Sequence, residues 1–499
     1  MIWNHKTLSE ALGITVPYFI SAGAVCYNTQ DVAPNDIFLA MPENALPTIK
    51  GTKDSHPYVQ NALDKGAALA IVEHTIDGID ASKLIIVPNS FEALQKMATY
   101  KRTKSKAKFI CITGSAGKTS TKEAAALALA HFAPTFANPG TFNNELGIPL
   151  TLASIPGNAE YVVLEIGMNH PGEISPLIPQ IHPDLVMINN ILPVHLEHFA
   201  SLDEIADAKL EILDGLKSGG IAIFNADSEY YDYCCTKAVK KGVSKILGFG
   251  SSSSSMQSAP RGSQDISVKT YAISELCSAN SKMMDGGKLL NYSFENNISN
   301  IAVSIAGKKM TFTTPIAGRH RALNLVAVLT ICHALGLDPI EASKVFANAK
   351  PPKGRGEIHN ITFNGHKCVV IDDAYNAGPV STIASINHLK DMKHANKVVI
   401  LANMMELGAQ EIEYHISLLP HLIDAGVSKV YTLGNLMYEL HKIVPREIRG
   451  THFKDYKDLE VHLKAIIDTD MMILLKGSKG QKLAHIVDVI IGKGRSNDI

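Results

Sequence analysis

The sequence predicts an α/β protein of three domains. These are a small N-terminal α/β domain over 1–105, a central domain with a mainly parallel sheet over 106–352, and a C-terminal Rossmann-like, doubly wound domain over 353–499. Three observations predict this. The 499 residues suit about three units of roughly 100–200 residues each. Short apolar runs alternate with helical stretches along most of the chain, the signature of parallel sheets flanked by helices. Pro351, Pro352 and Gly354 then interrupt the pattern and mark a boundary.

Within the first unit, the apolar segments 37–41 and 68–72 read as short strands between helices. The polar, basic run 101–108 (KRTKSKAK) reads as a solvated linker. A strand at 109–113 follows, then a Gly-rich turn and a helix from about Lys118. Buried strands are expected at 161–166, 185–189 and 221–225. The stretch 250–264, with five consecutive serines, reads as a flexible surface loop. Weak alternation over 266–314 predicts antiparallel strands in the same domain, and a helix follows Gly318–His320. Beyond the boundary come strand 368–371, helix 380–391, strand 398–402, helix 410–424, strands 429–432 and 472–475, and a final helix.

Hydrophobic residues make up 46% and charged residues 19% of the chain, which supplies several cores and excludes dominant disorder. The net charge of −1 removes the simplest argument for a nucleic-acid partner; small anionic ligands remain open, because local sites bind them. The seven cysteines (Cys26, Cys111, Cys234, Cys235, Cys277, Cys332, Cys368) are scattered without CxxC spacing, so reduced core thiols are expected rather than disulfides or zinc. The first ten residues lack a signal pattern, and no apolar run approaches the roughly 18 residues of a membrane span. A cytoplasmic protein is expected.

The most informative segment is Thr113-Gly114-Ser115-Ala116-Gly117-Lys118-Thr119, between a predicted strand and a predicted helix. This is the context of a P-loop, and it makes the central unit a P-loop-type ATPase domain. Glycines let backbone N–H groups turn toward phosphate oxygens, and the helix N-terminus adds partial positive charge. Lys118 suits the β and γ phosphates, and the Thr119 hydroxyl suits Mg²⁺. The generic pattern has Gly where this chain has Ile112. Glu165, at the end of a predicted strand, can reach a magnesium ion beside this loop, because hard oxygen ligands suit that ion.

The ordered motifs resemble the Mur ligase family. They are TGSAGKT at 113–119, NPGTFNNELG at 138–147, LEIGMNHPGEI at 164–174, NNILPVHLEHF at 189–199 and AKLEI at 208–212. GRHRALN at 318–324, GRG at 354–356, DDAYNAGP at 372–379, MELG at 405–408 and KGSKG at 476–480 complete the set. The resemblance covers nearly the whole chain and is strongest over 109–212 and 350–408. It implies an ATP- and Mg²⁺-dependent enzyme joining a carboxylate to an amine through an acyl phosphate. Within the family, the order is closest to the member whose substrates are UDP-MurNAc-tripeptide and D-Ala-D-Ala, and monomeric behaviour is the family expectation.

The resemblance further implies residue roles. Glu165 and His195 become magnesium ligands. Lys209 takes a position often carbamylated, where the lysine turns into an anion. His320 and Asn324 match positions at the adenine end of ATP, Arg355 an arginine reaching the phosphates, and Asp373 a ribose-binding acid. Asn28-Thr29-Gln30 stands where Asp-Ser/Thr-Arg is usual and, with 54–59 (DSHPYV), marks the nucleotide-sugar site. Asn143, Asn144, Tyr375 and Asn376 are further candidates for substrate contact. The chain departs from the pattern at Arg321 (usually Asn), Gly378 (Asn), Ala402-Asn403 (Gly-Asp) and Lys479 (often Arg). Two other readings remain open: a sister ligase adding a diamino acid, and a non-catalytic nucleotide-binding relative. A motor or transport NTPase is disfavoured by the motif order.

Overall fold

The central sheet is built around runs such as 109–113, 162–165 and Leu185–Ile188, too short for a helix and buried on both faces, the composition parallel strands require. Outer strands such as Ile298–Ile305 instead alternate buried with exposed or half-buried residues. In the computed structural model, which describes residues 2–16, 20–46, 53–194, 196–251 and 282–495, these runs belong to a sheet with nine strands among the described residues. Lys108–Thr113 lies between Leu185–Ile188 and Tyr161–Glu165, all parallel. Thr135–Ala137 extends the sheet beyond Tyr161–Glu165, and Ile221–Asn225 and Lys245–Ser251 extend it the other way. Lys282–Glu295 pairs parallel with Lys245–Ser251, and Ile298–Ile305 and Lys308–Thr314 then fold back as antiparallel hairpins. From 282 onward the weak alternation thus does mark antiparallel strands of this sheet, and 266–281 lies outside the described residues. The serine-rich stretch lies outside the described residues from 252 onward.

Helix Lys118–Ala130 opens directly from the Gly-rich turn and packs with helix Arg319–Ala334 on one sheet face. Ala124, Ala125, Ala128 and Leu129 meet Leu325, Val326 and Leu329 in one fully buried cluster. Small residues on the first helix let the second approach the loop, which is how Asn324 reaches it. Each leucine so buried contributes about 2 kcal/mol.

The N-terminal unit holds a four-stranded parallel sheet, Val25–Cys26, Ile37–Leu39, Leu69–Val72 and Leu84–Ile86, and a short antiparallel pair, Trp3–Asn4 with Ser21–Ala22. Its core includes Leu146, Leu150 and Ala153 from helix Gly147–Ala153 of the central unit, and the Trp3 indole donates to the Ala153 carbonyl at 2.9 Å. The basic run 101–108 is not a solvated linker. Helix Ser90–Lys104 takes up its first half, and strand Lys108–Thr113 begins at its last residue. Lys101 lies 4.6 Å from the Trp3 ring, Arg102 lies 4.1 Å from the Phe109 ring, and Arg102 also donates to the carbonyls of Ile181 and His182. A cation over an aromatic face is attracted by the ring's negative face, so part of a charged run belongs to the joint between two units.

The C-terminal sheet runs Glu357–Phe363, His366–Asp373, Met471–Lys476, Lys397–Ala402, Lys429–Leu433, Arg449–Phe453, with the first pair antiparallel and the rest parallel. Helices Pro379–Asp391 and Leu483–Arg495 are where the pattern predicted them, and the expected helix at 410–424 is split into Glu411–Ile416 and Leu419–Asp424. The two outer strands escaped the sequence reading.

The C-terminal unit is docked on the central one. The Leu196 amide donates to the Glu406 carbonyl at 3.1 Å, the Tyr375 hydroxyl bonds Thr141 at 3.2 Å, and Phe294 meets the His388 ring edge-on at 5.2 Å. His388 is 4% exposed, and neither ring nitrogen has a hydrogen-bond partner. Burial first, then the nearby Arg321 charge, lower its pKa to about 4 against the partial opposition of Asp373. An unfolded histidine near 6.5 takes up its proton first as pH falls, so stability present above about 6.5 is lost between 6.5 and 4. That loss amounts to about 3 kcal/mol. Chemical unfolding of the His388→Leu variant is expected to lose this acid limb; an unchanged pH slope over that window would reject the assignment.

Candidate active site

The site forms at the carboxyl ends of parallel strands, where open α/β sheets bind ligands. Lys108–Thr113 ends in the turn 114–117, and Gly117 caps helix Lys118–Ala130 with φ +78°. A Cβ on Gly117 would stand 2.5 Å from the Asn189 amide nitrogen and 3.0 Å from that of Asn324, so only glycine lets these side chains close in. The turn is fixed from beneath by the loop after the neighbouring strand. The Ser115 amide donates to the Asn190 carbonyl (3.0 Å), the Ala116 amide to Asn190 Oδ1 (2.7 Å), and Asn189 Nδ2 to the Ala116 carbonyl (2.8 Å). The Ser115 hydroxyl donates to the Leu192 carbonyl at 3.0 Å. The loop shape is thus held before any ligand arrives. The Lys118 ammonium rests on the Gly114 carbonyl at 2.8 Å; burial and then Arg355 lower its pKa, while Glu165 acts to raise it.

Glu165 sits beside this turn because it pairs with Ile112 in the parallel ladder. It is 1% exposed. Asn143 Nδ2 donates to its Oε1 at 2.7 Å, while its Oε2 is buried without a hydrogen-bond partner. A buried, unpartnered carboxylate oxygen is costly, and here it lies beside a hydroxyl-bearing phosphate loop. The oxygen donors of Glu165 and of Thr119, the second residue of the helix that opens from the loop, fit a magnesium ion. Asn138 fixes the backbone of the same residue: Glu165 N donates to Asn138 Oδ1 at 2.8 Å and Asn138 Nδ2 donates to the Glu165 carbonyl at 3.1 Å. His195 lies outside the described residues. Lys209, on helix Leu202–Leu210, is 2% exposed, and its pKa falls well below the ordinary value through burial and then the charge of Lys118.

The remaining expected residues divide. Asn324 touches the loop through Gly117 and accepts from Asn189 Nδ2 at 3.2 Å. His320 packs against Gly318, and burial followed by the Arg321 charge lowers its pKa far below the usual range. Arg355 stacks on the Tyr375 ring at 4.2 Å and acts electrostatically on Lys118. Asp373 is not an open acceptor: Lys476 bonds Oδ2 at 2.8 Å, Ser385 donates to the same oxygen, and Arg321 reaches Oδ1 at 3.4 Å. The Asn376 carbonyl accepts from Lys476 at 3.1 Å, and Asn144 Oδ1 accepts from the Gly147 amide at 2.9 Å. Asn28 and Thr29 bond within the N-terminal unit, to Asp31 and Lys65. In the nearby 54–59 segment, His56 is a satisfied buried histidine, bonded to Asp54 and the Glu73 amide. The sequence reading missed Asn138, Asn189 and Asn190 as the residues that shape the site. For two of them the signal was available: Asn189 and Asn190 stand at or just past the end of the predicted strand 185–189, whereas Asn138 follows strand Thr135–Ala137, which was not predicted.

A largely parallel sheet, one of whose inner strands feeds a pre-shaped glycine-rich loop flanked by a buried acid and a buried lysine, defines a nucleotide-dependent α/β enzyme. Residues 112–332 match the Mur ligase middle domain and residues 354–479 the Mur ligase glutamate ligase domain. The chain belongs to the Mur ligase family. It is 39% identical over 488 residues (98% of this chain, 99% of the relative) to the UDP-N-acetylmuramoyl-tripeptide–D-alanyl-D-alanine ligase of Rickettsia prowazekii. It is 29% identical over 489 residues (95% of each) to the enzyme so named from Escherichia coli. The crystal structure of MurF from Acinetobacter baumannii superposes with a TM-score of 0.76 at 24% identity, covering 98% of this chain and 99% of that one. The MurF ligase of Thermotoga maritima in complex with ADP gives 0.70 at 22% identity, over 95% and 99%. The fold is the three-domain Mur ligase fold, and among the described residues no helix is long and apolar enough to cross a membrane.

Proposed function

We propose that the protein joins D-Ala-D-Ala to UDP-MurNAc-tripeptide at the expense of ATP, giving the pentapeptide precursor of peptidoglycan, ADP and phosphate. Similarity over 98% of the chain to the UDP-N-acetylmuramoyl-tripeptide–D-alanyl-D-alanine ligase of Rickettsia prowazekii supports the substrate pair. The observation that carries the chemistry is the unpartnered, buried Oε2 of Glu165 beside the phosphate loop.

In this reading a tripeptide carboxylate oxygen attacks the γ-phosphorus, and the bond to ADP breaks. The dipeptide amine then attacks the acyl carbon, phosphate leaves, and the nitrogen releases a proton. Residues Gly114, Ser115, Ala116, Gly117, Lys118 and Thr119 hold the phosphates, with Lys118 offsetting the charge where two anions meet. Thr119, Glu165 and His195 would hold Mg²⁺, which when bound supplies charge neutralisation and orientation at the phosphates. Burial, and then the charge of Lys118, lower the Lys209 pKa and so favour the neutral amine, the form that adds carbon dioxide to become a carbamate while releasing a proton. His320 and Asn324 serve the adenine end, Arg355 the phosphates and Asp373 the ribose. The last contact requires Asp373 to leave or share its bonds to Lys476 and Arg321. Asn28, Thr29, Asn143, Asn144, Tyr375 and Asn376 serve the two substrates; Asn143 does so by fixing Glu165. Residues 1–105 take the uridine end, 106–352 the ATP, and 353–499 the incoming dipeptide, in a cytoplasmic monomer.

Mass spectrometry after incubation with ATP, Mg²⁺, UDP-MurNAc-tripeptide and D-Ala-D-Ala is expected to find the pentapeptide, with phosphate release requiring both substrates. Phosphate release without them, or turnover only with UDP-MurNAc-dipeptide and a diamino acid, would overturn this reading.

A further inference from the structure

The hairpin behind the Arg355 turn carries a cluster that the ligation chemistry does not use. Strands Glu357–Phe363 and His366–Asp373 pair antiparallel with Glu357 opposite Asp372. His359 is two residues along from Glu357, so it projects from the same face. One ligand atom from each of Glu357, His359 and Asp372 lies within 4.8 Å of the other two. His359 Nε2 is buried and makes no hydrogen bond. It stands 3.5 Å from Glu357 Oε2, too long for a hydrogen bond. Two ligands held at about 2.1 Å from one ion stand about 3–3.5 Å apart at ordinary coordination angles, which is the separation seen. Asp372 is 1% exposed, and burial holds its carboxyl above the usual pKa, an environment that a cation would relieve. The Lys353 ammonium feels both carboxylates but is bonded to Asp488 at 2.9 Å.

We infer that Glu357, His359 and Asp372 form a binding site for a first-row divalent cation, distinct from the magnesium position at the phosphate loop. One imidazole nitrogen and two carboxylates suit zinc, cobalt or manganese better than magnesium, most of whose ligands are oxygens. The same Asp372 accepts the Gly354 amide on its carboxylate at 3.1 Å and the Gly356 amide on its carbonyl at 2.7 Å. A bound ion therefore braces the turn that presents Arg355.

The test is Zn²⁺ titration of the full chain by calorimetry, with Mg²⁺ in excess, followed by Co²⁺ absorption spectroscopy. Wild type is expected to bind one more Zn²⁺ equivalent than His359→Gln, or the same equivalent with affinity higher by a factor on the order of 10–100. The visible bands of Co²⁺ should weaken in the same variant. Glu357→Gln, on a half-exposed outer strand, gives a second variant should His359→Gln not fold. Equal stoichiometry, affinity and Co²⁺ spectra in wild type and the folded variants would overturn the site and leave the ligase reading untouched.

Discussion

Replacing Lys118 by alanine is expected to lower kcat/KM for ligation by a factor on the order of 10²–10³, about 3–4 kcal/mol of lost transition-state stabilisation. The geometry explains why the loss falls on catalysis and not on folding. The Lys118 ammonium is half-buried, where desolvation and the Arg355 charge together outweigh the support of Glu165, and one backbone carbonyl, that of Gly114, accepts its hydrogen bond. Its charge is therefore a cost to the free protein, relieved when phosphate oxygens arrive. Alanine removes that cost and leaves the turn itself supported by Asn189, Asn190 and Ser115. Chemical unfolding should thus show a stability equal to or above wild type while turnover collapses. Ligation within tenfold of wild type, or a variant that unfolds, would reject a phosphate-neutralising role.

How much of this was legible in the sequence follows from where each signal is stored. The phosphate loop was legible because its constraint is local: an apolar strand, glycines where side chains cannot fit, and a helix start occupy consecutive positions. Strands Glu357–Phe363 and Arg449–Phe453 were not, because both lie at a sheet edge and read as polar, partly exposed sequence (EIHNITF, RGTHF). The 101–108 run reads as solvated because charge suggests solvent, whereas the Lys101 ammonium and the Arg102 guanidinium lie over the Trp3 and Phe109 rings. Asn143 was taken for a substrate contact, and its observed partner is Glu165. That pairing joins two motifs through the sheet, which no local window contains. Arg321 was noticed only as a departure from asparagine. What it does depends on a residue 52 positions away, and a single sequence holds no trace of such a pair.

That pair carries the last expected result. Asp373→Ala is expected to destabilise the protein by about 3–5 kcal/mol, the cost of leaving buried cations without their counter-charge. Asp373 is buried between Lys476, 3% exposed and bonded at 2.8 Å, and Arg321, 3.4 Å away. Burial alone would raise its pKa; Lys476 and then Arg321 outweigh burial and hold it at about 2. A carboxyl depressed below its ordinary 3.8 contributes stability that is present above that value and lost as pH falls toward 2, about 2 kcal/mol in all. Mutation costs more than protonation, because it also leaves a hole and two unpaired cations. Arg321 comes from the central unit and Lys476 from the C-terminal sheet, so the triad links the two. A Cβ on Gly356 would stand 2.1 Å from Arg321 Nη2, so the guanidinium fits only over a glycine. In a double-mutant cycle Arg321→Ala should recover part of the Asp373→Ala loss by removing one of the stranded charges, a coupling of about 1–3 kcal/mol. Strict additivity in chemical unfolding would mean that Arg321 and Asp373 do not act as a pair, and that the packing around Gly356 holds the two units together instead.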